Sequence, residues 1–165
     1  IGGERMTFAV GDRIVHPLHG AGVIDSIENQ RVCGVERSYY VMHIKMGDML
    51  VKVPTDSSDA VGLRPIMKPE GAKKFLDYIG TIKPEMTQNW NRRYRENMSK
   101  LRSGNLKDVA EVIKGLTVRD SERGLSTGER KMLNSAKEIL LSEIVLSQSY
   151  TYDEASTLLE DALRP

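Results

Sequence analysis

A single cysteine, Cys33, stands among the 165 residues, so no internal disulfide can form. A chain without a disulfide frame suits a reducing compartment, and a cytoplasmic location is expected. Nowhere does an apolar run approach the roughly 20 residues that span a bilayer, so a membrane partner is not expected. Aromatic residues are scarce at 5%, with one tryptophan, Trp90, and two phenylalanines. Net charge is nearly absent at +1, so the total excludes neither an acidic nor a basic partner. Residues 1–5 read as a remnant before a natural start at Met6, and they carry no fold argument.

Motifs of catalysis are missing as well. Gly20-Ala21-Gly22 begins like a dinucleotide fingerprint. It lacks the third glycine, and a strand pattern follows where a helix is needed. Gly124 to Gly128 lacks the spacing and the lysine of a phosphate loop. No serine sits in a nucleophile elbow. His16, His19 and His43 do not form a set of three or four ligands at metal-binding spacing, so His16 and His19 read as turn and packing residues. Cys33, next to Gly34 in a predicted hairpin, reads as structural because no adjacent residue offers a base. No catalytic residue, metal, cofactor or small-molecule ligand is expected.

The charge that is present is unevenly placed. Residues 1–89 carry 11 Lys/Arg and 11 Asp/Glu, residues 90–137 carry 12 against 6, and residues 138–165 carry 1 against 6. A stretch of +6 followed by one of −5 points to an anionic partner for the middle of the chain. A solvated helical face with i,i+4 pairs gives the same counts.

The hydrophobic period changes along the chain. Up to residue 64 short β-branched runs (13–16, 21–27, 38–45 and 49–53) are separated by Pro17, Gly20, Gly47-Asp48 and Pro54. That spacing predicts a small antiparallel barrel of SH3-like size. From Pro69 onward the period is helical. Helices are predicted over 69–79, ending at Gly80, and over 87–102. A third is capped by Asn105, a fourth by Ser126 in a capping box with Glu129, and a short last one by Thr151 with Glu154. The fold class is therefore α+β, with units over 6–64 and 69–165.

One segment concentrates cations around the tryptophan: Trp90 is followed by Arg92, Arg93 and Arg95. Guanidinium groups bind phosphate bidentately, and an apolar wedge between them can pack against an unstacked base step. On a helical wheel, however, Trp90, Tyr94, Met98 and Leu101 share one stripe, which is the pattern of a core tryptophan. A first-turn position lets the ring project past the helix end instead.

The run from Met6 to Ile24 (MTFAVGDRIVHPLHGAGVI), the unit WNRRY from Trp90 and the unit ERGLSTGERKML from Glu122 occur in order. Together they resemble the CarD family of bacterial transcription regulators, over essentially the whole chain from Met6 to Leu163. The first run is shared with the polymerase-interaction domain of the transcription-repair coupling factor. That factor also needs helicase motors, for which these residues have no room. The resemblance implies a Tudor-like barrel that docks on the β subunit of RNA polymerase. It also implies a helical domain that touches promoter DNA, without sequence preference, in the minor groove at the upstream fork of the melted bubble. By the same resemblance Trp90 is the wedge, with Arg92 and Arg130 as DNA contacts; the guanidinium-rich segment itself adds Arg93 and Arg95 as candidates. One basic polymerase contact of the family falls on Lys52; the strand that carries it, with Met49, Leu50 and Val51, ends at Pro54 and reads as a barrel edge open to a partner strand. A second basic polymerase contact of the family falls on Gln30, a departure, with Arg31 beside it. The implied location is the cytoplasm, at the nucleoid through polymerase. Two other readings stay open: an adaptor whose helical half binds a protein, and an enzyme with an unfamiliar site. A contiguous basic face around Trp90 favours DNA, and a deep pocket of convergent polar groups favours an enzyme.

Overall fold

The computed structural model describes residues 7–147 and 149–164, so the leader expected over residues 1–5 and the start at Met6 lie outside it. Five strands form one antiparallel sheet in the order β4-β3-β2-β1-β5. They are β1 (Arg13–His16), β2 (Gly20–Val32), β3 (Val35–Ile44), β4 (Met49–Pro54) and β5 (Arg64–Pro65). A register shift between Ile24 and Ser26 breaks the β2–β3 ladder. An extra residue at such a point bends the strand. The sheet curls around one core of Ile14, Ile24, Tyr40, Met42, Ile44 and Val53, closed by Phe8 and Leu63. This is the Tudor-like unit. Gly22 belongs here rather than to a nucleotide loop: a Cβ at this position would collide with the carbonyl oxygen of His43.

The predicted hairpin at Cys33 is present, with Val32 paired to Val35 and both turn residues in the left-handed region (φ 53° and 79°). Two positive φ values give the turn whose twist matches its strands. Cys33 is exposed at this tip as a residue of the turn.

A short helix α1 (Ser58–Val61) precedes β5. Then follow α2 (Pro69–Thr81), α3 (Trp90–Arg102), α4 (Leu106–Arg123), α5 (Thr127–Leu146) and α6 (Tyr152–Leu163). Their apolar stripes converge on a second core that includes Phe75, Ile79, Ile113, Leu116, Leu140 and Leu159. Gly80, expected as a helix stop, lies inside α2. A Cβ there would come within 3.3 Å of the Ala162 carbonyl, so the missing side chain admits α6. The start of the second predicted helix, expected at Thr87, moves to Trp90. Asn89 takes the cap, accepting from the Arg92 N–H, and the carbonyls of Thr87 and Gln88 are drawn to Arg93. Among the described residues no helix is long and apolar enough to cross a membrane.

The two units touch along α5. Glu143, fully buried, accepts both terminal N–H groups of Arg64 at 2.6 Å and the Met67 N–H at 2.8 Å. Ser142 accepts the Ala21 N–H at 3.0 Å, and Arg13 donates to the Leu146 carbonyl. One carboxylate of the acidic C-terminal stretch is thus a structural acceptor.

Candidate nucleic-acid interface and docking edge

Trp90 is the first residue of α3, and α5 begins against it. Its indole stacks on Tyr94 with centroids 5.2 Å apart and planes at 20°. The indole N–H donates to Ser126 Oγ at 3.0 Å. Ser126 is itself the cap of α5, accepting from the Glu129 N–H and donating to Glu129 Oε1. Trp90 is 43% exposed. Neither sequence option was complete: Tyr94, Met98 and Leu101 do pack inward, but the tryptophan at the head of the stripe stays half outside, fastened by its edge. Two helix N-termini meet beneath it. Each carries a partial positive charge, which favours an anion nearby.

Arg93 corrects the expectation. It was grouped with the DNA contacts, yet it is 2% exposed. Its guanidinium makes a bidentate bond to Glu129 at 2.8 and 3.1 Å and donates to the carbonyls of Thr87 and Gln88. The helical period explains this: Arg93 and Asn97 lie four apart on the inward face. Arg93 hydrogen bonding, ahead of the cost of burial, holds the Glu129 carboxyl below the usual range. The capping box expected of Glu129 is therefore half made, since its carboxylate serves Arg93 and Ser126 rather than the cap N–H.

The other cations remain on the surface. Arg92 is exposed and pairs with Glu96 at 3.0 Å, one turn along. Glu96 also accepts from Thr87, which is the first cause holding its carboxyl low, with Arg92 second. Arg95 is exposed and has no ion pair among the described residues. Arg130, one turn into α5 from Ser126, pairs with Asp120 at 3.2 Å. Arg92 and Arg95 lie on the outward face of α3, across the helix from the stripe that Trp90 heads, and Arg130 lies on α5. Sequence reasoning missed the supports, Ser126 and Tyr94. It also missed Arg123, which donates to Gln88 next to the start of α3 at 3.4 Å. The helical wheel pointed to Tyr94; nothing local pointed to Arg123, which arrives on another helix.

On the barrel, β4 is an edge strand, as its position before Pro54 implied. Leu50 is 63% exposed, Met49 is exposed, and Lys52 pairs with Glu28 across the sheet at 3.3 Å. Val51 packs against the barrel core, so only its backbone is offered at the edge. Arg31 does not join this group. Lys52 lies opposite Val41, which lies opposite Ser26, and Arg31 is five residues further along β2, near Gln30 in the outer hairpin. At about 3.3 Å per residue that is roughly 17 Å.

His16 is buried, its Nδ1 accepting from the Leu18 N–H at 3.1 Å, with the His19 ring 4.5 Å away. Burial first, then repulsion from His19, lowers its pKa to about 4. A histidine held neutral in the fold is protonated more readily when unfolded, so stability falls as pH drops from about 6.5 towards 4. The loss is roughly 3 kcal/mol over that window. Urea unfolding midpoints at pH 7, 5.5 and 4.5 should decline accordingly, and His16→Gln should flatten the decline. An equal slope in that variant would assign it elsewhere.

Residues 8–67 match the family model described as the CarD-like/TRCF RID domain, and residues 74–160 match that of the CarD C-terminal domain. The chain belongs to the CarD family. It is similar to the protein named "Putative transcription factor YdeB" of Bacillus subtilis (strain 168), with 31% identity over 144 residues, covering 87% of this chain and 94% of that one. Membership in this family makes it a transcription regulator.

Proposed function

We propose that this CarD-family protein docks on the β subunit of RNA polymerase through β4 and stabilises the open promoter complex by seating Trp90 in the minor groove at the upstream fork. The observation that carries the reading is the indole. It is large, half exposed, stacked on one side and pinned by its N–H, so little conformational freedom is lost when it packs against a base step. Arg92 and Arg95, on the outward face of α3, and Arg130 on α5 supply phosphate contacts. In this reading the chain divides between residues 64 and 69 into a docking unit and a DNA unit. Holding by polymerase raises the local concentration of the DNA unit, so weak intrinsic DNA affinity suffices. No side chain stands out as a base reader, in keeping with binding that ignores sequence. The decisive measurement is open-complex lifetime on a fork-labelled promoter with and without the protein. An unchanged lifetime would reject the proposal.

Two further outcomes follow from the surfaces. Lys52→Glu places a carboxylate beside Glu28 and reverses the charge of the edge, so polymerase pull-down should weaken. The fold should hold, because an exposed substitution of this kind costs within about 0.5 kcal/mol. Pull-down equal to wild type would remove β4 as the contact. For DNA, three arginine–phosphate contacts give a slope of log affinity against log salt of about −2.7, at about −0.9 per phosphate. Arg95→Ala should make the slope shallower by about 0.9 on every sequence tested. The pairing of Arg92 with Glu96 and of Arg130 with Asp120 favours the alternative of a protein-binding helical unit. A salt-independent or absent DNA interaction would select that alternative.

A further inference from the structure

The sequence alone gives no reason to expect a small-molecule ligand, but a cavity of about 290 Å³ opens where the two units meet. Val15 and Leu18 line it from the β1 side, and Met98, Val109 and Ile139 from α3, α4 and α5. This is the small end of the size range of ligand pockets, and such an apolar lining does not hold ordered water well. Its polar groups are few. Arg64 and Glu143 lie in the wall, but both Glu143 oxygens are taken by Arg64 and one also by the Met67 N–H, so the pair offers no net charge. What remains is the Arg64 Nε–H, buried without a partner, and, on α5, Lys131 and Ser135, four residues apart and hence on one face. Lys131 is exposed and has no ion pair among the described residues. The one aromatic ring in the wall, Tyr94, is already stacked on Trp90, and the other walls are flexible aliphatic and thioether chains.

We propose that this cavity binds a short aliphatic carboxylate, its chain lying among Val15, Leu18, Met98 and Val109 and its head group on the Lys131 ammonium beside the Ser135 hydroxyl. An apolar chain fits a lining of this kind, and the unpaired cation selects an anionic head. The ligand would touch both units and the ring beneath Trp90, so its occupancy would fix the relation of the β4 edge to the indole. Binding is read on the protein alone, so the result stands apart from the polymerase and promoter reading.

The probes are octanoate and, as its uncharged counterpart, octanol, each titrated into the full chain with carbon-13-labelled methyl groups. Octanoate should give saturable shifts concentrated on the methyls of Val15, Leu18, Met98 and Val109. It should bind about two- to fivefold more tightly than octanol, as expected for an exposed ion pair. Lys131→Met, a change at an exposed position, should erase that preference while octanol binding persists. The melting temperature should rise by about 5–10 °C at a hundredfold excess over Kd. Shifts that do not saturate, shifts spread over the surface, or an octanoate preference surviving in Lys131→Met would each overturn the proposal.

Discussion

Trp90→Ala is expected to shorten open-complex lifetime by about five- to a hundredfold while the protein stays folded. A stacking contact at a distorted base step is worth roughly 1–3 kcal/mol, and each 1.4 kcal/mol is about a decade. The stability cost should be small by comparison, because the ring is half exposed in the free protein and its main internal partners are Tyr94 and Ser126. Losing one aromatic pair costs about 0.5–1.5 kcal/mol, or a few degrees in melting temperature at this chain length. Trp90→Phe should keep part of the activity, since a smaller ring still packs at the step but loses the bond to Ser126. Ser126→Ala, which leaves the ring in place but unpinned, should fall between wild type and Trp90→Ala. A collapsed melting temperature for Trp90→Ala would mean a core role. A normal lifetime in a folded variant would mean the indole is not the wedge.

Arg93→Met should produce the largest loss of stability. The substitution leaves the Glu129 carboxylate buried without its cation, and breaking such a pair from one side costs about 3–5 kcal/mol. At this chain length the melting temperature should fall by about 6–20 °C. Replacing both partners, Arg93→Met with Glu129→Leu, should recover most of that loss, because two apolar groups leave no stranded charge. The double variant should still shorten open-complex lifetime, since the carbonyls of Thr87 and Gln88 lose the donor that fixes the approach to Trp90. The pH dependence has a definite sign. The folded-state pKa of Glu129 is depressed, so its contribution is complete above the ordinary carboxylate value and is lost as pH falls through the folded one. Glu129→Gln should remove that part of the acid limb. Calorimetry that finds Arg93→Met as stable as wild type would show that the pair carries no net stabilisation.

The contrast between these two variants bears on how the site is written in the chain. Trp90 and Arg93 stand three residues apart in one basic, aromatic segment, and composition treats them alike. The helix sorts them: the stripe through Arg93 and Asn97 turns inward, while Arg92 and Arg95 turn out. A charge in the interior needs a partner, and that partner, Glu129, lies 36 residues away on α5. No local pattern announces it, because the serine and glutamate of α5 read equally well as a capping box. The β4 edge shows the reverse case. A short β-branched run ending at Pro54 pointed to an edge strand without help from any partner, whereas the distance of Arg31 from it, several residues along β2, is set only by the register.

By itself the sequence determined the α+β class, the change of period near Pro69, the caps at Asn105, Ser126 and Thr151, and the motifs that resemble the CarD family. These are local quantities, fixed by side-chain periodicity and by backbone groups that need a partner within a few residues. The tertiary structure decided which arginine of the Trp90 segment is buried, that the indole is pinned by Ser126 and stays half exposed, that Glu143 joins the two units, and that a cavity lies between them. Each of these depends on which faces of distant elements meet. Packing settles that by balancing buried area against the cost of an unpaired charge, and neither term is written in residue spacing.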